Sequence, residues 1–145
     1  MKLEGSHVFD APQQRVWEII NDTNALQRHM PGCESLVAVG QDEYQAVLSI
    51  GVAAIKGTYE AKLRLVDKDP PNSYTLRVEG SGKPGFVKGE GRVTLSEQDG
   101  KTELRYSGEL HIGGVIARIG SRMIGGIAGR MTRQFFEDLG NEALS

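Results

Sequence analysis

The sequence predicts an α+β fold: a meander of antiparallel strands flanked by two short helices near the N-terminus and one long C-terminal helix. Three observations carry this. Five consecutive segments between Glu43 and Ile112 alternate apolar and polar residues with a period of two, the mark of strands with one dry and one wet face. The connections between them are short and rich in glycine, proline and aspartate, as hairpins require. Apolar residues at helical spacing lie outside that block, near residues 10–30 and after residue 113, so helices and strands are segregated along the chain.

"KLEGSHVF" is expected to be the first strand. "DAPQQRVWEIIND" follows as a helix, with Asp10 as N-cap, Pro12 in the first turn and Val16, Trp17, Ile19 and Ile20 as its apolar stripe. A second short helix, Thr23 to Met30, stops at Pro31-Gly32. After a strand from Ser35 to Val39, the meander runs through "EYQAVLSI", "IKGTYEAKLRLV", "SYTLRVEG", "FVKGEGRVTLS" and "KTELRYSGELHI", with Asp99-Gly100 as its sharpest hairpin signal. The last helix is expected to begin within "GGVIARIGSRMIGGIAGRM", residues 113–131, and to reach about Leu144. Gly114, Gly120, Gly125, Gly126 and Gly129 fall in it, and each interior glycine costs about 1 kcal/mol relative to alanine. On a helical wheel Ile116, Met123, Ile124, Ile127, Met131 and Phe135 share one arc with Gly120 near its middle. Arg118, Arg122, Arg130 and Arg133 lie opposite.

In a meander, successive turns alternate between the two ends of the sheet. One end collects Gly40-Gln41-Asp42, "DKDPPNS" and "EQDGK"; the other collects "PGC", "GVAAI", "GKPGF" and "IGG". The second end is apolar and glycine-rich where solvent-facing turns are normally polar. Either its loops pack on one another, or they rim an apolar cavity. The inward register also carries Gly57, Gly80, Gly89, Gly91 and Gly108 with Ala46 and Ala61. Such small residues leave volume unfilled, or let a long sheet coil.

A chain of 145 residues fits one domain, 1–145. With 17 basic and 19 acidic residues, and no basic patch interleaved with aromatics, no nucleic-acid partner is expected. Cys33 is the only cysteine, which suits a reducing, cytoplasmic location. "MKLEGSHVFD" carries no apolar run of the signal-peptide kind, and the arginines interrupt the best candidate span.

Several motifs fail on context. "GSGKPG", residues 80–85, matches G-x-G-x-x-G but contains Pro84 and precedes a strand rather than a helix. His29 and Cys33 are separated by Pro31-Gly32, so no metal site is expected, nor any cofactor. Asp67 and Asp69 read as turn formers. His7 shares the inward register with Leu3, Gly5 and Phe9, yet no paired carboxylates or nucleophile–His set accompanies it, so no catalytic residue is assigned. The arginine face reads as solvated surface, with anionic lipid or a partner protein as the alternative.

Taken together, "DAPQQRVWEIINDTNALQRHMPGCESL", "GVAAIKGTYEAKLRLVDKDPPNSYTL", "GFVKGEGRVTL" and "IARIGSRMI…QFFEDL" resemble the CoxG-like family of carbon monoxide dehydrogenase subunits over essentially the whole chain. The resemblance implies the START-like (SRPBCC) helix-grip fold, a curved antiparallel sheet wrapped around a long C-terminal helix, with an apolar cavity between them. It also implies association with a molybdenum-containing carbon monoxide dehydrogenase or a relative, by membrane recruitment or by shuttling a lipophilic quinone. Members with a membrane role often carry a C-terminal extension; the sequence here stops at Ser145, so peripheral contact with the inner face of the membrane is expected rather than direct anchoring. The family implies no catalytic motif.

The expected function is therefore non-catalytic binding of a lipophilic small molecule, a quinone or another lipid. Expected lining residues are Tyr44, Leu48, Tyr59, Leu63, Leu76, Val78, Phe86, Tyr106 and Leu110 from the sheet, with Gly120, Met123 and Ile127 from the helix. The alternatives are a cyclase- or hydrolase-like enzyme using His7, and a docking or assembly factor for a molybdenum hydroxylase acting through Arg118 and Arg122.

Overall fold

The computed structural model describes residues 1–52 and 55–144. Ala53 and Ala54, inside the "GVAAI" connection, and Ser145, the end of the expected domain, lie outside the described residues. Strand β1 (Lys2–Phe9) is followed by helices α1 (Gln13–Ile20) and α2 (Thr23–His29). Strands β2 (Cys33–Gly40), β3 (Glu43–Ile50), β4 (Gly57–Asp69), β5 (Ser73–Gly82), β6 (Gly85–Gln98) and β7 (Lys101–Gly113) then precede helix α3 (Ser121–Ala143). The seven strands form one antiparallel sheet in the order β1-β7-β6-β5-β4-β3-β2. Asp99 and Gly100 both adopt positive φ, 55° and 78°, between the paired Gln98 and Lys101, as a tight two-residue hairpin requires.

Helix α1 buries the expected stripe, Val16, Trp17, Ile19 and Ile20. Its cap differs from expectation: Pro12, not Asp10, occupies the N-cap position and no side chain of its own caps it. The chain is pinned just upstream, where buried Thr102 donates its hydroxyl to the Ala11 carbonyl at 2.8 Å. The Glu97 carboxylate, from the facing end of β6, then accepts the Gln13 N–H at 2.6 Å, doing from across the fold what an N-cap does locally. Asp22 caps α2, accepting from the amides of Asn24 and Ala25.

The last helix starts later than expected. Residues Val115–Ile119 form a 3-10 turn, held between Gly114 (φ 81°) and Gly120 (φ 96°, ψ 143°), and α3 begins only at Ser121. Both glycines adopt backbone conformations that side-chain-bearing residues rarely enter. The turn is tied down by Ile116, which is buried and donates its N–H to the Pro84 carbonyl at 2.9 Å. Two of the five glycines thus break the helix rather than burden it.

The opposite end of α3 is anchored on α1 and α2. Arg15 donates to the carbonyls of Ala143 and Glu142, and Arg28 pairs with the Glu142 carboxylate. Both cations sit where the final carbonyls of a helix favour positive charge. The main core lies here, with Phe9, Val16, Ile19, Leu104 and Leu139 each at most 2% exposed. It closes the polar-turn end of the sheet.

Candidate functional site

Burial on the inner face of the sheet changes along the strands. At the polar-turn end Phe9, Tyr74, Val93, Leu95 and Leu104 are buried. Toward the glycine-rich end of the same four strands, Leu3, Val78, Val87, Leu110 and Ile112 are only partly buried. Packed interiors do not leave a row of aliphatic side chains half covered. The helix above does not fill this space: an alanine Cβ placed at half-buried Gly125, in the first half of α3, would meet nothing within 4 Å.

Between the sheet and the second half of α3 lies an apolar hollow of about 290 Å³, at the small end of the range for small-molecule sites. Leu76, Val78, Val93, Leu104, Tyr106 and Leu110 wall it from the sheet, Leu3 from β1, Ile20 and Leu26 from the short helices, and Thr132, Phe135 and Phe136 from α3. A larger concavity of about 790 Å³ lies on the outer face, but Glu60, Lys62, Glu79 and Lys88 line it. Its charges mark a solvated trough, whereas the inner hollow offers apolar contact.

Four of the expected lining residues, Leu76, Val78, Tyr106 and Leu110, line the hollow. Tyr44 and Leu63 pack instead on a second small cluster with Leu36, Ala46 and Ala61. Leu48 stands opposite Tyr59 on β3 and β4, and the Tyr59 hydroxyl donates to the Ile55 carbonyl at 2.6 Å. Phe86 is on the outer face and 49% exposed: the inward register of β6 runs through Val87, Val93 and Leu95, one residue out of phase with it. Gly120 is the break before α3, Met123 is 56% exposed, and Ile127 is buried but outside the lining. α3 instead meets the hollow at residues 132–136 rather than 120–127.

Tyr74, Phe135, Phe136, Leu26 and Ile20 join the lining without being expected there. Tyr74 and Phe135 carry the inward signal, alternation in one case and the helical arc in the other. Ile20 belongs to the apolar stripe of α1, whereas Leu26 carries no such signal, because which residues of a short helix reach a distant strand is set by packing. Of the inward glycines, Gly57 is covered by Pro84, Gly89 by Leu110, and Gly108 by the backbone of β6; Gly80 and Gly91 meet only ordinary contacts.

Two ionisable groups near the hollow are tuned by burial. The Tyr74 phenol, edge-on to Trp17 at 5.8 Å, has its pKa pushed well up by desolvation and by nearby Tyr44, so it stays a neutral hydroxyl. His7 lies beside the hollow, its ring 4.8 Å from Phe9 and stacked 5.9 Å from Phe136. Burial lowers its pKa, partly offset by Glu137. Among the described residues no His/Cys/Asp/Glu group is arranged to hold a metal ion, and no helix is long and apolar enough to cross a membrane.

Three of the connections at the glycine-rich end carry charge of one sign. Residues 44–59, 80–89 and 110–136 contain no carboxylate. The connections they supply expose Lys56, Lys83, Arg118 and Arg122. Beside these cations stand Val52, Val115 and Met123, with Val115 at 62% exposure.

Known proteins agree with this architecture. A conserved protein from Geobacillus kaustophilus is 38% identical, with a TM-score of 0.97, covering 99% of this chain and 95% of that one. The Zhui aromatase/cyclase from Streptomyces sp. R1128 is 18% identical at a TM-score of 0.74, covering 99% and 93%. A START superfamily protein from Mycobacterium smegmatis is 11% identical at 0.75, covering 98% and 96%. The fold is thus the START-like helix-grip fold. No functionally curated protein matches the chain. The sequence pattern of CoxG, a carbon monoxide dehydrogenase subunit, matches residues 5–144, and the chain belongs to the CoxG family.

Proposed function

We propose that this protein binds a lipophilic small molecule without transforming it, in the hollow beneath the second half of α3. The observation that carries this reading is the burial gradient: four neighbouring strands are packed solid at one end and half covered at the other. Burying that apolar surface under a guest is worth about 25 cal/mol per Å². Tyr106 supplies an apolar wall with a polar tip that orients a carbonyl-bearing guest. A quinone with an isoprenoid tail suits such a lining, and the family name points to a carbon monoxide dehydrogenase, which we take to be of the molybdenum-containing type, as the partner served.

The guest would be collected at a membrane surface. Exposed Val52, Val115 and Met123 among cations, with no carboxylate in those connections, suit shallow contact with an anionic bilayer. Catalysis by His7 is the competing reading, since one protein of the same fold is an aromatase/cyclase. Against it, His7 stacks among Phe9 and Phe136 and is not among the residues lining the hollow. Native mass spectrometry of purified protein, followed by organic extraction, tests the proposal. A co-purifying apolar molecule released by solvent supports it; apo protein that fails to take up any quinone or isoprenoid probe overturns it.

A further inference from the structure

Tyr74, Val93 and Tyr106 stand side by side in one row across the inner face of the sheet, as successive cross-strand partners. The next inward row toward the glycine-rich end runs Leu76, Gly91, Gly108 and Leu3, so its two middle strands present backbone and no side chain. Both rows border the hollow, and Phe135 and Phe136 close it from the helix side. Peptide backbone on one side and aromatic rings on the other leave a slot shaped for a flat guest. Buried tyrosine hydroxyls normally find a hydrogen-bond partner. Tyr74 is 8% exposed, yet among the described residues its hydroxyl has no partner. Nor is that oxygen one of the sealed side-chain atoms that lack a partner; it keeps an opening, and the space Tyr74 lines is the hollow.

We infer that the hollow selects a flat, uncharged ring carrying a hydrogen-bond acceptor oxygen, with Tyr74 donating to that oxygen as the specificity-determining residue. Selection of this kind presupposes the ligand site proposed above and narrows its occupant. Burial keeps the Tyr74 phenol protonated and so able to donate. Tyr106 turns its hydroxyl onto Gly5 of β1, which leaves Tyr74 as the donor at the buried end. Among the described residues lining the hollow there is no lysine, arginine or histidine, and Glu90, which borders it, pairs its carboxylate with Arg77. A charged head would be buried there without a counter-ion, at far greater cost than a neutral one. A free fatty acid therefore fails on charge as well as on shape.

Fluorenone and fluorene share one flat ring frame and differ by a carbonyl oxygen, so the ratio of their affinities isolates the contact to that oxygen. Equilibrium dialysis against wild type and Tyr74→Phe tests the assignment. Fluorene should bind both proteins alike, while the fluorenone-to-fluorene ratio falls about fivefold or more in the variant, as loss of one hydrogen bond requires. Fluorene bearing a carboxylate should bind wild type more weakly than fluorene by about tenfold or more. In unmutated protein the carbonyl stretch of bound fluorenone should drop below its frequency in hydrocarbon solvent. An unchanged ratio, an unshifted carbonyl band, or a carboxylate bound as tightly as fluorene overturns the selection and leaves the ligand site standing. Failure of every probe to bind wild type overturns both. If Tyr74→Phe no longer takes fluorene, the variant has lost the hollow itself, and the carbonyl band in wild type decides.

Discussion

The Tyr106 phenol fills the space that a side chain on Gly5 would need. A Cβ at Gly5 would lie 2.5 Å from the Tyr106 hydroxyl and 2.7 Å from its Cζ. On its other side the Tyr106 ring packs directly on Phe136, with the ring centroids 5.8 Å apart. The absent side chain on β1 therefore lets the phenol lie over β1 while its ring packs on Phe136. Gly5→Ala should push the phenol toward Phe136, costing about 1–3 kcal/mol of stability. It should also weaken uptake of an apolar probe, as seen by denaturant unfolding alongside ligand titration.

Filling the hollow directly separates binding from folding. Val78 is a lining residue and only partly buried, so Val78→Phe enlarges a side chain into open space. Its stability should stay within about 1.5 kcal/mol of wild type, while probe affinity falls at least tenfold, about 1.4 kcal/mol. Thermal melts and calorimetric titration check both halves.

The glycines of the C-terminal segment should respond in opposite senses. Gly120 holds φ 96°, so Gly120→Ala should destabilise by about 1–3 kcal/mol even though no atom blocks the new methyl. Gly126 lies inside α3, with open space around it; Gly126→Ala should stabilise by about 0.4–1 kcal/mol. Urea unfolding of the two variants resolves the signs.

His7 should impose a pH dependence. Its folded pKa lies below the ordinary 6.5 because burial disfavours the charged ring. The unfolded chain therefore binds the proton more readily, and stability falls as pH drops through 6.5 toward the lowered folded value. Above 6.5 this contribution is constant. His7→Phe, which keeps the aromatic contact with Phe9 and Phe136, should flatten the stability profile just below about pH 6.5.

The charge of the glycine-rich end should govern vesicle binding. Reversing Arg118 and Arg122 to Glu should reduce association with phosphatidylserine-containing vesicles by tenfold or more, at about 1 kcal/mol per cation near the surface. Cavity occupancy should not change. Equal binding of both proteins in co-sedimentation would remove the membrane contact from the account.

The period-two alternation makes the meander legible, because residue parity decides which face each side chain takes. Parity alone sets Tyr106, Leu110, Leu76 and Val78 inward, and all four line the hollow. Phe86 obeys the same rule: lying one residue out of phase with Val87 it faces outward, so parity speaks against the expectation that it lines the hollow. The C-terminal helix is legible as apolar spacing but not as a start point, since periodicity across residues 113–120 does not reveal that Gly114 and Gly120 hold positive φ. The helical wall of the hollow is formed by Phe135 and Phe136 rather than Met123. The cap of α1 is equally hidden, because Glu97 reaches Gln13 from 84 residues away.

Trp17 offers the most direct measurement of the hollow. It is the only tryptophan in the chain, it is 8% exposed, and it touches Tyr74, which walls the hollow. Titration with a naphthoquinone bearing a short isoprenoid tail should quench its fluorescence saturably, one molecule per chain, and Val78→Phe should abolish the saturable phase. Quenching that rises linearly with probe, and is the same in wild type and Val78→Phe, would contradict a ligand site beneath α3.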